Sequence, residues 1–274
     1  MLKLYKNKYL LDFSEDGHSY KVEGKKQPSV TGIIKILDKP GLPQWAANKT
    51  VEYIFDKSIP FPEYQDRKAW IVTTKDLAFA KRNYLNSRDD SAIIGKAVHS
   101  WIEGYIRRRL AGEMYTKRRY TESMAPSIEA FLKWEKQFKP EYIFSERVVY
   151  SPNGHYCGTS DCGAWLTIDG KQLYIVLDFK TGVPEKEYDT KLRKYTGRIR
   201  PYTTTYLQDA LYDLAIEEED RLRADGYGAL HLPLNSPALF AFTKETTAFR
   251  ELGKSIVQTY HLLNAANALN EWNL

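Results

Sequence analysis

The sequence predicts a mixed α/β fold with a central sheet flanked by helices, and three observations carry that prediction. Helical spacing of apolar residues dominates up to residue 138. Three β-branched and aromatic runs then follow one another over 142–180, and a helix, two short strands and a long final helix complete the chain. Because the strands are consecutive rather than separated one by one by helices, the pattern is not that of a doubly wound sheet.

Composition bounds the rest. The 274 residues suffice for one sizeable core, and 43% hydrophobic with 27% charged residues excludes a disordered or low-complexity chain. No apolar run approaches the roughly 20 residues of a membrane span, and the opening MLKLYKNKYLLDF lacks the apolar stretch of a signal peptide, so a cytoplasmic location with no membrane partner is expected. Two cysteines, Cys157 and Cys162, make no disulfide framework and are too few for an iron–sulfur cluster. The 40 Lys+Arg against 35 Asp+Glu, net +5, permit a polyanionic partner without requiring one.

Taken in order, 4–22 mixes apolar and polar residues around Asp16-Gly17, a hairpin signal. Within Pro28-Ser29-Val30-Thr31, Ser29 is placed to cap a short helix that ends before Pro40-Gly41. Helices follow at 43–57, 64–86, 90–111 and 124–138, so the front half reads as mostly helical. Strands at 142–150, 158–168 and 173–180, turned at Pro152-Asn153-Gly154 and Asp169-Gly170, form an antiparallel meander. A helix at 202–219, a strand at 228–234 with a partner at 238–243, and a helix over 246–269 close the chain.

The run Leu173-Tyr174-Ile175-Val176-Leu177-Asp178-Phe179-Lys180 is the most informative segment. With a period of two, Leu173, Ile175, Leu177 and Phe179 face one way, while Asp178 and Lys180 share the other face at the strand's end. Upstream, Gly158-Thr159-Ser160-Asp161 sets a second carboxylate in a neighbouring strand among small residues. Two strand-borne carboxylates and a lysine suit a hard divalent cation and a water, the constellation phosphodiester hydrolysis needs. Taken alone, an Asp-x-Lys pair is usually a solvated ion pair. Gly95 and His99, at i and i+4, share a helix face that lets His99 approach the sheet as a metal ligand, although a lone histidine is more often simply hydrogen-bonded. Gln208 and Tyr212 share a face of the helix after the sheet.

The ordered set Gly95-x-x-x-His99, Glu146, Gly158-Thr159-Ser160-Asp161, Asp178-Phe179-Lys180-Thr181-Gly182 and Gln208-x-x-x-Tyr212 resembles the RecB-type branch of the PD-(D/E)xK nuclease superfamily. Pro28-Ser29-Val30-Thr31 followed by Leu42-Pro43-Gln44-Trp45 is similar to the front of mitochondrial genome maintenance exonucleases and their phage-encoded relatives. The resemblance implies a restriction-endonuclease-like core in a single nuclease domain over 1–274. Its parts would be an N-terminal elaboration at 1–88, the core at 89–243 and a C-terminal helix at 244–274. It further implies Mg²⁺ or Mn²⁺ held by His99, Asp161, Asp178 and the Phe179 carbonyl, with Lys180 acting on the attacking water. Gln208 and Tyr212 would steady the scissile nucleotide, and Glu146 would support the site. The four cysteines of the iron–sulfur branch are absent, so no such cluster is expected.

Basic residues gather at Arg107-Arg108-Arg109 and Lys117-Arg118-Arg119. They gather again over 181–200 as Lys186, Lys191, Arg193, Lys194, Arg198 and Arg200, interleaved with Tyr188 and Tyr195, a pattern suited to phosphates and unpaired bases. The acidic run 217–220 reads as a solvated helix end. His155, Cys157 and Cys162 have zinc-like character but lack a fourth ligand. The expectation is a metal-dependent exonuclease acting on single-stranded DNA ends in replication, recombination or repair and leaving a 5′ phosphate. A flap endonuclease of the same fold and a nucleic-acid-binding module without catalysis stay open as alternatives.

Overall fold

The chain opens on a four-stranded antiparallel sheet, β1 (Leu2–Leu4), β2 (Tyr9–Ser14), β3 (Ser19–Val22) and β4 (Lys25–Gln27), where the sequence suggested one hairpin and a mostly helical front. The computed structural model describes residues 1–14, 19–37, 41–60, 70–113, 119–181, 185–189, 194–232 and 238–269, so the Asp16-Gly17 turn lies outside the described residues. Leu11, Tyr20 and Val22 bury their side chains against Tyr150 and Cys157 of the later strands, and the Tyr20 hydroxyl meets Thr159 Oγ1 at 2.9 Å. Ser29 caps α1 (Val30–Ile34) as its position suggested, accepting from the Gly32 N–H at 3.0 Å. The Cys157 N–H donates to the Pro28 carbonyl at 2.9 Å, so this segment is stitched to the main sheet.

Two compact units divide the chain, Leu37–Ala97 and the larger Met1–Ile36 with Val98–Leu274. Between α1 and the sheet come α2 (Gly41–Lys57), β5 (Ile59–Pro60), β6 (Trp70–Ile71) and α3 (Thr74–Leu110). The helices expected at 64–86 and 90–111 are thus one helix beginning at Thr74. Thr73 caps it, its Oγ1 accepting from the Asp76 N–H at 3.1 Å. The polar stretch 86–90 does not interrupt it because it contains neither Gly nor Pro.

In the larger unit α4 (Ala125–Phe138) precedes the meander β7 (Glu141–Ser151), β8 (Tyr156–Ile168) and β9 (Lys171–Lys180). These antiparallel strands follow the expected runs closely, with pairs such as Tyr150↔Cys157 and Cys162↔Leu177. Residues 185–200 supply two strands the sequence did not announce, β10 (Glu185–Asp189) and β11 (Lys194–Arg200), paired as a hairpin. Then α5 (Thr203–Asp220) crosses over to β12 (Gly226–His231), which lies parallel to β9, and β13 (Leu239–Thr243) closes the edge ahead of α6 (Thr246–Leu269). The main sheet is mixed, in the order β13-β12-β9-β8-β7, and parallel pairing demands the long crossover that α5 supplies.

Both faces of β9 are buried, not one. Phe179 packs edge-on against Phe131 of α4 at 5.9 Å between centroids, while Tyr174, Val176 and Asp178 on the alternate face are also shut from solvent. Among the described residues no helix is long and apolar enough to cross a membrane.

The acidic run 217–220 is not a solvated helix end. Glu217 pairs with Arg250 of α6, and Glu218 accepts from the Ser151 hydroxyl at 2.9 Å. Glu219 accepts from the Tyr5 N–H at 2.8 Å and from Arg147 at 3.0 Å, and Asp220 pairs with Arg147 at 2.6 Å. The helix terminus is where the N-terminal sheet, β7 and α6 are tied together.

Candidate metal centre

Antiparallel pairing of β8 with β9 sets Asp161 beside Phe179, and Asp161 Oδ2 accepts the Phe179 N–H at 2.8 Å. His99, near the C-terminal end of α3, brings Nδ1 to 3.6 Å from the same oxygen and rests its ring edge-on against Phe179 at 6.2 Å. Glu146 sits on β7 between the pairs Ser145↔Cys162 and Arg147↔Ser160, hence across from Asp161. Donor atoms of His99, Glu146 and Asp161 all lie within 4.8 Å of one another, and among the described residues no other group of His, Cys, Asp and Glu does this. The possible zinc set is not assembled. Cys157 and Cys162 are separately buried thiols, and burial pushes the Cys157 thiol up to about 12 and Cys162 well above its ordinary range.

The cluster is electrostatically tense. Burial and then the neighbouring Asp161 push the Glu146 carboxyl up to about 8. Its backbone has φ +47°, a left-handed conformation inside a strand that costs a non-glycine residue about 1–3 kcal/mol. Next to the cluster, Lys180 Nζ reaches Oδ1 of Asp178 at 2.8 Å and Oδ2 at 2.6 Å. Burial drives Asp178 up to about 6 against the pull of Lys180, so it remains ionised at neutral pH. Burial opposes the Lys180 ammonium, but Asp178 and Asp161 outweigh it and hold the pKa above the ordinary lysine value.

No protein-family model matches this chain, and no curated protein matches it.

On α5, Gln208 Nε2 donates to the Tyr212 hydroxyl at 3.0 Å, so the two residues expected on one face do meet. The Tyr212 ring lies directly on Gly158, where a Cβ would come 2.5 Å from its Cε1 and 3.1 Å from a Val30 methyl. Asp209, beside Gln208, is fully buried, and neither carboxyl oxygen has a hydrogen-bond partner among the described residues. Sequence reasoning passed over it. The available signal was a pair of carboxylates one turn apart, Asp209 and Asp213, within the mostly apolar stretch of helix 205–216.

Of the basic residues, Arg107 is 61% exposed and pairs with Glu103 at 2.8 Å, and Arg108 lies 3.9 Å from Glu113. Lys194, Tyr195, Arg198 and Arg200 fall on β11, described in backbone only, with Tyr195 opposite Tyr188 and Lys194 opposite Asp189. Lys191 and Arg193, with Lys117 and Arg118, lie outside the described residues.

Glu146 sets a pH dependence. Its folded value, about 8, exceeds the ordinary Glu value of about 4.3, so the stability it contributes is complete below that lower value and is lost as pH rises through 8. In EDTA, Glu146→Gln should match the wild-type melting temperature near pH 4 and exceed it by at least about 2–4 °C at pH 8.5, the shift that roughly 1 kcal/mol produces in a chain of this size. A difference that shrinks with rising pH in thermal denaturation would contradict this.

Proposed function

We propose that this chain is a divalent-metal-dependent DNA exonuclease of PD-(D/E)xK type, working on single-stranded ends in DNA replication, recombination or repair. The observation that carries the proposal is the convergence of His99, Glu146 and Asp161 within 4.8 Å beside the Asp178–Lys180 pair. The five-stranded mixed sheet flanked by helices is compatible with a restriction-endonuclease-like core, to which we assign it.

The donor set fits Mg²⁺ or Mn²⁺. Carboxylate oxygens with one imidazole are hard to intermediate ligands, and a dication relieves the repulsion that raises Glu146. His99, Glu146 and Asp161 would hold the ion, with Asp178 and the Phe179 carbonyl added by analogy with the family. When bound, such an ion polarises a phosphoryl oxygen and acidifies a water. Lys180, fixed beside the carboxylates, places positive charge where the phosphate gains negative charge and orients the attacking water. Gln208, steadied by its hydrogen bond to the buried Tyr212 hydroxyl, would face the scissile nucleotide, with Tyr212 acting from behind it. Arg107, Arg108 and the basic residues of 186–200 supply the cations a DNA strand requires.

Because Tyr212 rests on Gly158, Gly158→Ala should displace the ring and lower cleavage by about 10²-fold, the scale of a 1 Å misplacement, with far-UV circular dichroism unchanged. Unaltered kinetics would show that the seat does not position the site. The exonuclease reading itself is tested with end-labelled linear and with circular single-stranded DNA in Mn²⁺. Nucleotide release from the linear strand only is expected. Opening of the circle at a comparable rate would favour an endonuclease, and cleavage of neither would favour a binding module.

A further inference from the structure

We infer that Asp209 receives the Lys180 ammonium when a divalent cation takes up Asp178, which makes it a positioning residue for the lysine. The inference rests on the metal-dependent reading above and adds to it a residue and a rearrangement.

Lys180 now engages both oxygens of Asp178, the carboxylate that would turn toward a cation. An ammonium and a dication cannot share those oxygens closely, since their repulsion in a desolvated site is large. Lys180 must therefore move, yet it stays useful only if it stays beside the phosphate. A second acceptor is needed inside the site.

Asp209 meets that need. Thr205, Gln208, Asp209 and Tyr212 occupy one side of α5, and Asp209 is 0% exposed with neither oxygen hydrogen-bonded among the described residues. After burial itself, the charges it interacts with most are Asp178, Lys180 and Asp161. Asp213, one turn further on, shows what a structural carboxylate on this helix looks like. It accepts from the Ala224 N–H at 2.7 Å and the Tyr227 hydroxyl at 2.8 Å, and pairs with Arg250. An orphan buried carboxyl is unfavourable, and no described residue hydrogen-bonds it. A carboxyl accepts from an ammonium through its carbonyl oxygen even when protonated, so the hand-over needs no prior ionisation of Asp209.

The test is a double-mutant cycle on Mn²⁺ affinity measured by isothermal titration calorimetry with the full chain. Asp209→Leu should weaken Mn²⁺ binding about tenfold in the wild-type background, the lower end of the effects of removing groups that orient a metal site. In the Lys180→Met background, where no ammonium needs rehousing, the same substitution should change affinity by less than twofold. If Asp209→Leu does not fold, Asp209→Ala, which removes the acceptor with a smaller side chain, reads the same coupling. Equal weakening in both backgrounds, or none in either, would overturn the hand-over while leaving the metal site intact. A wild-type chain that takes up no Mn²⁺ would overturn the metal reading, and this inference with it.

Discussion

Lys180→Met should lower DNA cleavage by about 10²–10³-fold, the loss seen when one preorganised transition-state partner is removed, while binding Mn²⁺ at least as tightly as the wild-type chain. The two halves of this expectation have one physical source. Lys180 lies 2.6–2.8 Å from both oxygens of Asp178, so it would compete with a cation for that carboxylate. Removing it leaves Asp178 free for the metal and raises, or leaves unchanged, the affinity. The attacking water and the phosphate lose their cationic neighbour, so the chemical step slows. Single-turnover cleavage and calorimetry on the same preparation separate the effects. A parallel fall in Mn²⁺ affinity would show that Lys180 holds the site together rather than acting on substrate.

The second large effect is on stability. Asp213→Ala should destabilise the fold by about 3–5 kcal/mol, the usual consequence of removing one partner of a buried ion pair. Asp213 is fully buried and its Arg250 partner is 8% exposed, so the guanidinium left behind loses its buried partner and keeps the half-exposed Glu217. The Ala224 N–H and Tyr227 hydroxyl lose their acceptor as well, which adds unsatisfied polar groups to the uncompensated charge. These bonds fasten α6 and the start of β12 to α5, the helix that carries Gln208 and Tyr212. Urea denaturation of both chains measures the difference, and a loss below about 1 kcal/mol would mean that water replaces the network on mutation.

What was legible in the sequence followed local rules. The strands β7, β8 and β9 were visible because their β-branched and aromatic runs are separated by Asn-Gly and Asp-Gly turns, signals that act over a few residues. Asp178 and Lys180 were placed together by the two-residue period of a strand, which holds wherever that strand packs. The parts that escaped depend on tertiary surroundings. Charged residues hid the β10–β11 hairpin because a basic run over 186–200 resembles a solvated loop, although Tyr188 and Tyr195 are opposite each other in its backbone register. The acidic residues 217–220 looked solvated because their partners Tyr5, Arg147, Ser151 and Arg250 are distant in sequence. Glu146 was assigned only a supporting role, since nothing local announces its left-handed backbone or its place opposite Asp161. Asp209 was missed for the same reason, as its isolation is a property of the folded helix.

Release of labelled nucleotide from single-stranded DNA by the wild-type chain and by Asp161→Asn, each with Mn²⁺ and with EDTA, tests the central claim most directly. Asp161 is the group to change because it contacts both His99 and the Phe179 main chain and belongs to the triad. Cleavage by the wild-type chain in Mn²⁺ alone, lost in EDTA and lowered at least about 10²-fold by Asp161→Asn, is the predicted result. Cleavage that persists in EDTA, or that survives in Asp161→Asn at the wild-type rate, would contradict a metal-dependent nuclease built on this cluster.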